Sequence, residues 1–101
     1  MIIYNVTCKV DGSIARDWLE WMKNEHIPDV INTGCFTNAR ILHLVEADDG
    51  DGPTYAVQYE ASDLEQYEKY VREFSAEMRK RATEKWGDRF VSFRTIMKLV
   101  N

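Results

Sequence analysis

The chain has few cysteines, no long apolar run and no excess of basic charge, and each shortage removes a class of protein. Of its 101 residues only 2 are cysteine, Cys8 and Cys35. They lie far apart and fit no metal-ligand spacing, so each reads as a small buried hydrophobe and no metal site is expected. No apolar stretch approaches the roughly 20 residues that span a bilayer, so no membrane partner is expected. Asp and Glu outnumber Lys and Arg by 17 to 13, for a formal net charge of −4. A nucleic-acid partner, whose phosphates require a basic surface, is not expected either. There is no repeat, low-complexity tract or linker. With no basic-then-apolar leader pattern, a cytoplasmic location is expected.

What is present suits one globular domain spanning residues 1–101: 45% of residues are hydrophobic and 30% charged. A chain of this length buries roughly two thirds of its unfolded surface. Alternation marks Ile2 to Val10 as a strand, with Ile2, Tyr4, Val6 and Cys8 on one face and Ile3, Asn5, Thr7 and Lys9 on the other. The same period runs through Cys35–Glu46, Thr54–Ala61 and Arg89–Val100. Ser13 is positioned to cap a first helix. Ser62 and Glu65 form a capping box for a second, which should carry Leu64, Tyr67, Val71, Phe74 and Met78 on its apolar face and end by Gly87. The Asp/Gly stretch 48–53 lacks the closing Glu of a calcium loop and reads as a hairpin turn.

The most informative segment runs from Trp18 to Phe36. On a helical wheel Ile14, Trp18, Trp21 and Met22 make one apolar stripe. Glu25 falls about 20° from Trp18 on that wheel, inside the stripe, and His26 lies near its edge. A carboxylate there needs a partner or a proton. Pro28 predicts an extended Ile27, a kink just after Glu25 and His26, and a short second helix that Gly34 ends. Singly, each residue has an ordinary structural explanation: a solvated glutamate, or a histidine beside a helix C-terminus. Together, beside two tryptophans, they form the best site candidate in the chain.

The order of elements is β-α-β-β-α-β, a ferredoxin-like α+β fold with helices on one face of a four-stranded antiparallel sheet. The more apolar face, with Tyr4, Val6, Val57, Tyr59, Val91 and Phe93, is expected to meet the helices. The other would carry Ile3, Asn5, Thr7, Asn38, Arg40, Leu42, Gln58, Arg94 and Ile96. That mixture is too apolar to sit bare in water and too polar for a dry core, so a partner sheet or a ligand should cover it.

The residues Trp-x-x-Trp-Met-x-x-x-His-Ile-Pro at 18–28, with Gly34, Phe36, Thr54-Tyr55-x-x-Gln58-Tyr59 and Phe93-Arg94-Thr95, resemble an uncharacterised bacterial domain-of-unknown-function family among the dimeric α/β barrels. The resemblance covers essentially the whole chain. It implies a homodimer paired through the open sheet faces and carries no established activity. A looser likeness extends to small monooxygenases of antibiotic biosynthesis, heme-degrading enzymes and muconolactone isomerase-like proteins. In several of these a histidine follows the first helix, as His26 does.

Three functions compete. In a cofactor-independent monooxygenase- or isomerase-like enzyme, Glu25 or His26 would move a proton. Trp18 and Trp21 would wall a pocket, and Arg40, Gln58 or Arg94 would orient an anionic or carbonyl group. A binding or sensor domain would use the same pocket for a small organic ligand without turnover. A structural dimer would instead pair Arg40 and Arg94 with carboxylates such as Glu60 and leave no cavity. No cofactor is expected, and no hydrolase, kinase or nucleotide-binding pattern is found.

Overall fold

Period-two alternation produces the expected strands, and they pair into one sheet. The computed structural model describes Met1–Asn101. In it β1 (Ile2–Val10), β2 (Asn38–His43), β3 (Thr54–Ala61) and β4 (Phe90–Lys98) form an antiparallel sheet of order β2-β3-β1-β4. The first helical region comprises α1 (Ala15–Trp21), a wide turn at Met22–His26, and α2 (Ile27–Ile31). The second comprises α3 (Leu64–Glu73) and α4 (Ser75–Trp86). This is the ferredoxin-like arrangement.

Register assigns each side chain to a face. Tyr4 lies opposite Tyr59 and Ile96, Val6 opposite Val57 and Arg94, and Cys8 opposite Tyr55 and Ser92. Directly opposed residues share a face. Tyr4, Cys8, Val57 and Tyr59 join Trp18, Met22, Tyr70 and Met78 in the core, so theirs is the helix side. The open face carries Asn5 beside Gln58 and Thr95, Thr7 beside Phe93, and Arg40 beside Gln58.

β4 is therefore inverted relative to the sequence expectation. Arg94 and Ile96 face the helices, whereas Val91 and Phe93 stand on the open face, 68% and 65% exposed. The register with β1 sets this facing: Phe90 and Ile96 are β4's apolar contribution to the helix side, and Ser92 and Arg94 between them line a cavity.

The proline does not break the first helix. Ile27 is helical (φ −61°, ψ −46°), not extended, and its N–H donates to the Met22 carbonyl five residues back. Pro28 has no N–H, and its ring needs room beside the carbonyl four residues earlier. A π-wound turn supplies that room and lets the chain continue. The extra residue in the turn also shifts the wheel, so Glu25 leaves the apolar stripe and is exposed.

Other local expectations move by a residue or a face. Asp11 accepts from the Ser13 N–H and hydroxyl at 2.8 and 2.7 Å, so Ser13 closes a turn and does not cap α1. Asp63, not Ser62, caps α3, its carboxylate accepting from the Gln66 N–H at 2.9 Å. Tyr70 is the buried residue of α3, while Leu64 and Val71 are exposed. β2 is shorter than its alternating pattern, and Cys35 and Phe36 are buried ahead of it.

The hairpin loop between β2 and β3 is tied to the end of β1. Lys9 Nζ donates to the carbonyls of Asp48 and Gly52, each at 2.7 Å, and the Val10 N–H donates to the Pro53 carbonyl at 2.9 Å. Gly52 has φ +143°, and a Cβ there would lie 1.9 Å from the Val10 carbonyl oxygen. Gly52→Ala is expected to cost about 3 kcal/mol, from an unfavourable φ together with a backbone clash. Urea unfolding should show a lower midpoint at an unchanged m-value.

Candidate functional site: a cationic, aromatic cavity

Between the helix side of the sheet and α1, the wide turn and α4 lies a cavity of about 260 Å³. β1 contributes Tyr4, Val6 and Cys8 to its wall, and β4 contributes Phe90, Ser92 and Arg94. The helical side supplies Trp18, Trp21, Met22 and His26, with Met78, Arg79, Ala82 and Thr83 from α4. The α4 residues follow helical spacing along one flank.

Aromatic packing holds the wall in place. Trp18 is 1% exposed; its ring stacks on Tyr55 at 5.5 Å, with Phe90 at 6.5 Å. It is as much a core anchor for α1 as a cavity wall. Trp21 stacks on His26 at 4.7 Å and meets Trp86 edge-on at 5.9 Å. The Tyr4 ring stacks with Phe36 and Tyr59, both at 5.8 Å, and leans against Tyr67 and Tyr70 at 5.4 and 5.7 Å. Arg94 Nε donates to the Tyr4 hydroxyl at 2.9 Å.

The electrostatics of the cavity are one-sided. Arg79 and Arg94 line it, and no Asp or Glu does, although the chain as a whole carries −4. Burial pulls His26 down to about 4, the Asp29 carboxylate opposing the shift and Arg81 adding to it, so the imidazole is neutral at pH 7. Burial pushes the Cys8 thiol up to about 12, with Arg94 offsetting part of the rise; Cys8 is therefore a protonated wall residue rather than a nucleophile. Burial likewise raises Tyr59 and Tyr70.

The structure gathers some of the expected site residues and separates others. Trp18, Trp21, His26 and Arg94 converge on the cavity. Glu25 is outside it, in a shallow polar cleft shared with Asp29, Arg81, Glu84 and Lys85, which Trp21 and His26 line as well as the cavity. Arg40 and Gln58 are on the opposite face of the sheet. There Arg40 donates to Gln58 at 3.0 Å and to Glu60 at 2.7 Å, and Gln58 donates to Asn5 at 3.3 Å. Asn5 donates in turn to Thr7 at 3.0 Å and is buried beneath these longer side chains. Sequence reasoning missed Tyr4 and Arg79 as site residues. Arg79 reads as one of three basic residues, 79–81, on the second helix. Its position next to Met78 and one turn before Ala82 and Thr83 was the available signal.

Fold and cavity together define a ferredoxin-like α+β domain with a small chamber between sheet and helices. The chain belongs to the family described as a domain of unknown function, DUF4286, which matches residues 1–100. Its structure is similar to the crystal structure of an ethyl tert-butyl ether D (EthD) family protein from Bacillus halodurans. The TM-score is 0.72 at 14% identity, covering 99% of this chain and 100% of that one. At that identity the likeness concerns the fold. No curated protein matches the chain.

The position of His26 has a consequence for stability. Its folded pKa lies below its ordinary value of 6.5, so the unfolded chain binds the extra proton first. His26 should cost no stability above pH 6.5, and the penalty should grow as the pH falls towards 4. At full protonation it amounts to at most about 3 kcal/mol. Urea unfolding of wild type and His26→Gln at pH 7 and pH 4.5 is expected to show the smaller acid loss in the variant.

Proposed function

We propose that this chain is a homodimeric small-molecule-binding domain whose ligand occupies the cavity between sheet and helices. The observation that carries the reading is the chamber itself, walled mainly by aromatic and apolar side chains, with Arg79, Arg94, Ser92 and Thr83 as polar groups in its lining. Binding is favoured over turnover. A histidine with a pKa of about 4 is a weak base at neutral pH, and Glu25 is exposed and does not line the cavity. His26 then serves as a hydrogen-bonding wall, and a cofactor-independent enzyme remains the second reading, favoured by that same imidazole beside Trp21. The two unpaired, buried thiols suit the cytoplasmic setting that belongs to this proposal.

The homodimer rests on the inversion of β4. Val91, Phe93 and Met97 stand on the sheet face opposite the helices, with Leu42 of β2 on the same face. A sheet that keeps its apolar β4 residues on the uncovered side is patterned for burial on both sides. Two copies pairing these faces would cover Phe93 and enclose the Arg40–Gln58–Asn5 network. Nucleic acid is a poorer fit: Phe93 offers one exposed ring, but Glu60 shares the face and the net charge is negative.

Native mass spectrometry of the purified protein tests both parts. A dimer that binds a small molecule saturably is expected, and Ser92→Phe, which fills the cavity from β4, should remain dimeric and lose the ligand. Phe93→Glu is expected to raise the dimer dissociation constant by about thirty-fold or more, as for loss of a buried aromatic contact. A wild-type monomer would sink the dimer, and retention of ligand by Ser92→Phe would move the site elsewhere.

A further inference from the structure

Four observations narrow what the cavity accepts. Neither cavity arginine has a carboxylate within 4.0 Å, unlike Arg40, Arg72 and Arg81; Arg16 and Arg89, away from the cavity, also have none. Arg94 uses Nε to reach Tyr4, which orients the guanidinium and leaves both terminal nitrogens unengaged by the protein. The Tyr4 hydroxyl accepts that bond, and its own proton has no acceptor in the chain, although the residue is only 5% exposed. The remaining wall is mostly aromatic and apolar, in a volume at the small end for ligand sites.

We propose that the ligand is a small organic acid with a single aromatic ring. Arg79 and Arg94 receive its carboxylate at the mouth of the cavity, and the aromatic wall receives its ring. The inference rests on the small-molecule reading of the same site. Both arginines are exposed residues, so they stand where the cavity meets solvent and hold their charge without a desolvation penalty. A planar carboxylate matches a guanidinium fork, and the Tyr4 hydroxyl can donate a further bond to it. The ring then lies among Trp21, Tyr70, Met78 and Phe90, where stacking and sulfur contacts favour an aromatic body over an aliphatic one. Ser92 and Thr83 add neutral hydroxyls and no opposing charge.

The test compares acids with their uncharged amides on the full-length protein. Benzoate against benzamide and phenylacetate against phenylacetamide would be titrated by calorimetry and by tryptophan fluorescence, since Trp18 and Trp21 line the site. At least one acid is expected to bind about ten-fold or more tightly than its amide, the range for a charge-assisted bond. Arg94→Gln and Arg79→Gln should each remove about ten-fold of the acid's affinity and leave the amide within about two-fold. Arg94→Lys should retain part of the preference, and circular dichroism would show that the variants are folded. Equal binding of acid and amide would overturn the inference and leave the small-molecule reading standing. Inorganic phosphate binding as tightly as either acid would overturn it in favour of a simple oxyanion site. Failure of every probe, charged and neutral, would count against the cavity as a ligand site at all.

Discussion

Tyr4 stands on the helix side of a central strand, and sheet, helices and cavity meet around it. Its ring touches Phe36, Tyr59, Tyr67 and Tyr70, which come from the segment before β2, from β3 and from α3. Each aromatic contact adds about 0.5–1.5 kcal/mol beyond the area it buries, so this cluster is a large part of what holds the second helical region on the sheet. Its hydroxyl also anchors Arg94. A charge on the helix side of a sheet is tolerated because that one bond directs it into a cavity that opens to solvent, and not into the packed core.

The π-wound turn is the second constraint. Glu25 and His26, adjacent in sequence, share the outer polar cleft, but only His26 also reaches the aromatic cavity, where it stacks on Trp21. The proline expected to end the helix instead goes with the wide turn that gives its ring room. Arg81 then fastens α4 across the gap by its ion pair with Asp29 at 3.2 Å, which keeps the helical side of the cavity together. The pair is exposed on both sides, so its role is to set geometry more than to add stability.

Charge is sorted between the two faces of the sheet. On the open face Arg40 is neutralised by Glu60 and also donates to Gln58, which donates to Asn5, which donates to Thr7. On the helix side Arg79 and Arg94 remain without carboxylates. A structural dimer would have paired both arginines expected to matter; only Arg40 is paired. The polar groups of the open face are satisfied by one another, and the arginines of the cavity are not.

Much of the fold was legible. Strand alternation, the helix end at Gly87, the apolar stripe of the first helix and the β-α-β-β-α-β order depend on periods of two and of 3.6 residues, which local sequence carries. Trp18, Trp21, His26 and Arg94 were recognisable as unusual residue types in such a pattern. The facing of β4 was not legible, because a period of two says which residues go together and not which way they point. Pairing with β1 made that choice and moved Arg94 to the helices and Phe93 away. The position of Glu25 likewise depended on one extra residue in a turn that no wheel at 100° includes. Sequence alone thus determined the elements and their order, through short-range periodicity and turn chemistry. The tertiary structure decided which faces meet, and so which charges share the cavity, because register and helix winding are settled by contacts between distant parts of the chain.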